Sequence, residues 1–355
     1  MNSAQLSTGR LNELIGRFAK ARIAVVGDFF LDKYLDCDPE IEERSVETGR
    51  AAHQVCRIRT SPGCAGVVTA NLASLGVKEL FAIGIIGADG EGFDLCNRLN
   101  EFGCSTEHLH TVADRMTPTY LKPRNLRDAS LAGEHDRYDT KNRSETPAAY
   151  AEQVMQSVDA ILPHVDALMI MDQVEERNRG SITDTVRTAI CERAAKLKSE
   201  VVFWADSRRR IREYRHVIIK PNEFEALGRE LWLPGEEVDL ATLRSAVEQL
   251  RAEVAAPIFV TRGERGMFVT DPEWTAVPGV RVEGEIDATG AGDSASAGTV
   301  AALCAGATLP EAGVVANLVA SITIQQLATT GVAKPEQLPD RLAMWNQQQD
   351  TKETN

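Results

Sequence analysis

Apolar residues recur along this chain with two alternating rhythms. Short solid runs, RIAVVGD (22–28), ELFAIGIIG (79–87), VDALMIMD (165–172), EVVFWAD (200–206), HVIIKPN (216–222) and APIFVTRG (256–263), have the length of buried strands. Between them, LNELIGRFAK (11–20), AGVVTANLASLG (65–76) and GFDLCNRLNEFG (92–103) carry the wider spacing of amphipathic helices. Strands separated by helices predict an α/β fold, a mostly parallel sheet with helices on both faces. Ligands gather at the carboxyl ends of such strands, and Asp28, Asp172, Asp206, Asn222 and Gly263 all stand there.

Two segments break the rhythm. Residues 33–62 and roughly 108–140 are polar, with short alternating pieces such as QVCRIRT and TPTYLKPR. They predict a small β flap inserted into a single domain spanning 1–345; ordinary surface loops are the other reading. Residues 346–355 read as a polar tail without structure. The apolar stretch 294–324 raises the question of a membrane span, but Pro310, Glu311 and several glycines divide it into two buried helices.

Composition narrows the partners. A formal net charge of −13 disfavours nucleic acid and anionic membranes, which call for a basic face, and points to small molecules. Seven cysteines without a C-x-x-C pair suggest neither a disulfide framework nor a zinc site, and read as reduced thiols of a cytoplasmic protein. The N-terminus has no basic start, apolar run and cleavage site of a secretory leader.

The candidate chemistry lies in EIDATGAGDSASAGTVAALCAG, residues 285–306. Glycines there permit close backbone approach, and the small residues that follow can wind into a helix whose first amides face outward and attract anions. Gly290, Gly292 and Ala295 fit a loose G-x-G-x-x-A dinucleotide pattern, but PEAGVVANLVASITIQQL (310–327) reads as a second helix where that pattern requires a strand. No Gly-Lys pair, G-x-S-x-G elbow or H-E-x-x-H is present, so a Walker loop, a serine-hydrolase elbow and a zincin site are set aside. An acidic residue at that helix mouth, Asp293, either complements the helix dipole or acts as a base.

DATGAGD (287–293), with VVGDFFLDKY (25–34), KPNEFEAL (220–227) and VTRGERG (260–266), resembles the C-terminal motif and companions of the ribokinase-like, PfkB-type carbohydrate kinases. Within them the chain looks most like the heptose 7-phosphate kinase domains of ADP-heptose synthesis, over about residues 20–340. The resemblance implies a three-layer ribokinase-like fold and ATP-dependent phosphorylation of a sugar or sugar-phosphate hydroxyl. Asp293 would be the base, and Gly290, Ala291, Gly292 and the Asp293 amide the anion hole. Asn222 and Glu225 would help hold magnesium and its water near the ATP phosphates, although N-x-x-E is equally a capping box. Thr261 and Gly263 would line the nucleotide, Asn317 would approach adenine, and Asp287 would help hold a monovalent cation such as potassium.

On the acceptor side, Asp32 matches a sugar-binding aspartate, with Asp28 as a helper and Gly63 kept from a glycine pair. Cys64 and Val67 depart from the family's second glycine and its asparagine, which alters the acceptor that fits. DSRRRIREYR (206–215) brings five arginines into an acidic chain; Arg208 is the candidate for a phosphate, with Lys122 and Arg124 comparable in the flap. A homodimer through the flap is the partner the resemblance implies. A catalytically idle sugar or nucleotide sensor, a kinase of nucleosides or other alcohols, and a dinucleotide oxidoreductase stay open as other readings.

Overall fold

Six parallel strands form the middle of the molecule, in the order Ile218–Ile219, Val202–Ser207, Ala167–Asp172, Arg22–Gly27, Glu79–Gly87, Cys104–Val112. The structure is a computed structural model describing residues 2–353 apart from 129, 234 and 328. Isolated bridges Ile219↔Ile258 and Asn222↔Thr261 carry the sheet on to a second group built from Phe259–Thr261, Met267–Val269, Thr275–Val277 and Asn2–Ser3. These are the strands expected from the apolar runs. The last two runs are shorter than written, because only Ile218–Ile219 and Phe259–Thr261 keep ladder pairing.

The layering follows from alternation along the central strands. Ile23, Val25, Ala167, Met169 and Met171 face one core, while Ala24, Val26, Leu168 and Ile170 face the other. The first core is covered by helices Thr8–Phe18, Ala65–Ser74, Gly90–Glu101, Ala291–Cys304, Leu309–Thr323 and Leu338–Glu353. The second is covered by Ala148–Ile161, Asp184–Leu197 and Leu240–Val254. The apolar stretch 294–324 is therefore two packed helices, and no helix among the described residues is long and apolar enough to cross a membrane.

The chain leaves the central sheet abruptly after Gly27, where a Cβ would stand 2.2 Å from the Met171 carbonyl oxygen. It enters a four-stranded lid ordered Tyr138–Thr140, Thr119–Asn125, Phe29–Cys37, Val55–Cys64. Residues 108–112, grouped with the flap on polarity, instead complete the edge strand Cys104–Val112 of the main sheet. The polar tail read from residue 346 onward is also corrected: the helix Leu338–Glu353 continues through it to residue 353, anchored by buried Leu338, Leu342 and Trp345. Residues 354 and 355 lie outside the described residues.

Candidate active site

The site grows from the carboxyl ends of the sheet. Gly290, at φ +76°, turns the DATGAGD loop into the helix Ala291–Cys304, a conformation that favours glycine. Asp287 Oδ1 accepts from the Thr289 amide at 3.0 Å and so shapes the loop itself. The Ala291 amide donates back to the Ala288 carbonyl at 3.1 Å, so its expected place in the anion hole is taken by a turn. The Gly292 and Asp293 amides have no partner among the described residues and remain available to an anion.

Asp293 is partly buried and its carboxylate makes no hydrogen bond with the described residues. Burial pushes its pKa up to about 7; Asp206 adds to the rise, while Lys220 and Arg208 oppose it. Lys220 pairs with Asp206 at 2.8 Å, and its Nζ lies 3.4 Å from where a Gly292 Cβ would be. Burial would weaken that ammonium, but Asp206 outweighs it and the pKa is raised, so Lys220 stays charged. Lys220 was within a motif read from the sequence yet was not singled out; its position at a strand end was the available signal.

A cleft of about 450 Å³ opens on one side of this point, bounded by Thr261, Gly263, Ile286, Gly292, Asn317 and Ile324. Thr261 and Gly263, which the resemblance implies would line a nucleotide, border this cleft. Asn317 lines the wall, but its Nδ2 donates to the carbonyls of Val277 at 3.1 Å and Pro278 at 3.0 Å. Its Nδ2 is therefore committed to the main chain at Val277 and Pro278. Asn222 and Glu225 border a second cavity of about 520 Å³ with Arg208. They form a capping box: Asn222 Oδ1 accepts from the Phe224 and Glu225 amides, and Glu225 Oε2 from the Asn222 amide at 2.7 Å. Burial raises Glu225 to about 7 against the pull of that amide.

The arginine cluster sorts itself by partner. Arg210 is buried in a bidentate pair with Asp172, with distances of 2.6 and 3.1 Å, and Arg209 pairs with Glu175. Arg212 and Arg215 lie farther along, Arg215 on main-chain carbonyls. Arg208 is exposed; its amide donates to the Asp172 carbonyl at 3.0 Å, but its guanidinium has no hydrogen bond or ion pair among the described residues and borders a small cavity with Lys141, Arg179 and Tyr120. Lys141 and Arg179 likewise offer side chains without an ion pair among the described residues.

Within the lid, Asp32 is 5% exposed and Lys122 Nζ stands 3.4 Å from its Oδ1. Burial raises the Asp32 pKa, and Lys122 resists. Gly63 packs directly against Asp32. Asp28 is placed differently from the expected acceptor helper: it accepts from the amides of Gln173, Val174 and Ser181 at 2.6–3.0 Å and holds that loop. Arg124 is also engaged in the lid's own frame, on the Ser130 carbonyl at 2.7 Å.

Residues 20–336 match the model of the pfkB family carbohydrate kinases. The chain belongs to that family. Among curated relatives of this pfkB chain, the bifunctional protein HldE of Methylobacillus flagellatus is 29% identical over 88% of the chain and 62% of the relative. HldE of Pseudomonas syringae pv. syringae is 32% identical over 90% and 63%. The chain thus spans less than two thirds of these relatives' length. Its fold is that of ribokinase from Thermotoga maritima (TM-score 0.64, 18% identity, 91% and 99% of the two chains). It is likewise that of phosphofructokinase-2 from Escherichia coli in complex with fructose-6-phosphate (TM-score 0.64, 16% identity, 91% and 98%). The α/β architecture with a β lid is therefore the ribokinase-like fold the resemblance implied.

Proposed function

We propose that the chain transfers the γ-phosphoryl group of ATP to a hydroxyl of a sugar or sugar phosphate. The observation that carries this reading is Asp293, an unbonded carboxylate titrating near neutrality beside two free helix-start amides. Asp293 would take the proton of the acceptor hydroxyl. The amides of Gly292 and Asp293, with Lys220 behind them, would face the phosphate oxygens as charge develops. The mostly apolar cleft beyond Gly292 would hold the nucleotide.

Magnesium fits this donor set through water. Glu225 keeps one oxygen outside its capping box, and Asp206 lies within electrostatic reach of it. Among the described residues no three acidic, histidine or cysteine side chains form a cage, and magnesium commonly takes one or two carboxylates plus water and phosphate. When bound, it would neutralise charge on the phosphates. Asp287 remains the candidate for a monovalent cation such as potassium beside the loop.

The acceptor would lie under the lid, with Asp32 and Lys122 on its hydroxyls and Arg208, Lys141 and Arg179 facing an anionic group. A second copy would pair along the lid's outer strand Val55–Cys64, which leaves Val55 and Ile58 exposed. The test is ADP release over free and phosphorylated sugars and nucleosides, with Asp293→Asn as the blank. Release above the blank with a sugar is expected. Arg208→Ala should weaken use of phosphorylated acceptors by about ten- to a hundredfold and spare unphosphorylated ones. Nucleotide binding without release above the blank for any acceptor would favour the sensor reading.

A further inference from the structure

The inner face of the lid carries two polar atoms that the chain itself leaves unanswered. Asp32 on Phe29–Cys37 and Ser61 on Val55–Cys64 are direct cross-strand partners, so their side chains project from the same face, with Cβ atoms about 5 Å apart. Asp32 Oδ1 and Ser61 Oγ are both buried, and neither has a hydrogen-bond partner among the described residues. Lys122 approaches Oδ1 to 3.4 Å as an ion pair without hydrogen-bond alignment. The two oxygens also do not hydrogen-bond each other.

Gly63, two residues along the strand from Ser61 and on the same face, brings no side chain against them. At Gly63, a Cβ would lie 3.4 Å from Asp32 Oδ1 and 3.3 Å from the Phe30 Cβ. Asp32 also contributes to the electrostatic field at Asp293, the base of the kinase reading.

We propose that Ser61 is an acceptor-binding residue, which together with Asp32 holds one hydroxyl of the polyol acceptor. The inference rests on the kinase reading above. A carboxylate can only accept, whereas a serine hydroxyl can donate, so the group between them must be both donor and acceptor. An ether or carbonyl oxygen has no hydrogen for Asp32, and an ammonium has no lone pair for Ser61. An alcohol has both. Because Asp32 and Ser61 lie on neighbouring strands of one sheet, the hydroxyl they share is fixed relative to the lid and moves with it.

The test is Ser61→Ala and Ser61→Thr in the whole chain, assayed with the sugar that the wild type phosphorylates fastest among D-ribose, D-fructose 6-phosphate and D-sedoheptulose 7-phosphate. Loss of one hydrogen bond should raise the acceptor KM of Ser61→Ala by about three- to tenfold, with the KM for ATP and the melting temperature unchanged. Ser61→Thr, which keeps the hydroxyl and suits a strand, should recover most of that loss. An unchanged acceptor KM in Ser61→Ala overturns the inference while leaving the kinase reading intact. So does a parallel loss of ATP affinity and thermal stability, which marks Ser61 as part of the lid's packing. If the wild type phosphorylates none of the three sugars, the inference falls together with its acceptor.

Discussion

Two aspartates at the carboxyl ends of the central strands and one at a helix start differ in their partners. Asp172 is locked to Arg210, and Asp28 is satisfied by three amides although burial, with Asp172 adding, lifts its pKa to about 6. Asp293, in the first turn of helix Ala291–Cys304, has neither kind of partner. Its carboxylate must be ionised to accept a proton, so activity is lost as pH falls. In the free enzyme, reported by kcat/KM, the rate should decline about tenfold per pH unit below about pH 7 and level off above it. Asp293→Asn should erase that inflection; a flat wild-type profile across the same range would remove the base assignment. Cys64 is a second singular residue. It holds φ +53° and ψ −117° at the start of helix Ala65–Ser74, a sparsely populated conformation that costs an L residue about 1–3 kcal/mol. The charges of Asp293 and Asp32 both act on the Cys64 thiol, and a Cβ at Gly290 would stand 3.4 Å from Val67, so these two departures from the family pattern lie beside both the acid pair and the DATGAGD loop.

Among the elements, the four-residue helix Glu223–Ala226 shows why a motif can carry two meanings. Its capping box accounts for Asn222 and Glu225 without any ligand, yet Glu225 is also held protonatable near neutrality beside Asp206 and Lys220. Glu225→Gln separates the two, since glutamine can cap but brings no charge. The melting temperature should hold while the magnesium concentration for half-maximal turnover rises by about ten- to a hundredfold. An unchanged magnesium requirement would leave the cap as the whole explanation. Buried central strands were legible in the sequence because both faces are apolar and the runs are solid. The edge strand Cys104–Val112 was less so, since only Cys104 and Leu109 of its residues are buried and its pattern resembles the lid's. The final helix escaped beyond Trp345 because its buried positions end there and polar residues follow. Asp293 and the N-x-x-E pair could be found from motif alone. The two main-chain bonds of Asn317, the free state of Arg208 and the pairing of Ser61 with Asp32 depend on contacts between distant segments, which no local pattern encodes.

At the scale of the whole molecule, side-chain contacts tie the lid to the body of the α/β domain. Lys33 pairs with Glu91 at 3.0 Å and Arg98 Nε donates to Thr60 Oγ1 at 2.9 Å, joining lid strands to the body helix Gly90–Glu101. In the proposed reaction the lid would exclude water that competes for the phosphoryl group, and the account turns on Asp293. The most direct measurement is the turnover of Asp293→Asn at saturating ATP and sugar, made alongside its affinity for ATP. The account predicts wild-type nucleotide affinity with turnover lower by about a hundredfold or more. Turnover equal to that of the wild type would contradict it.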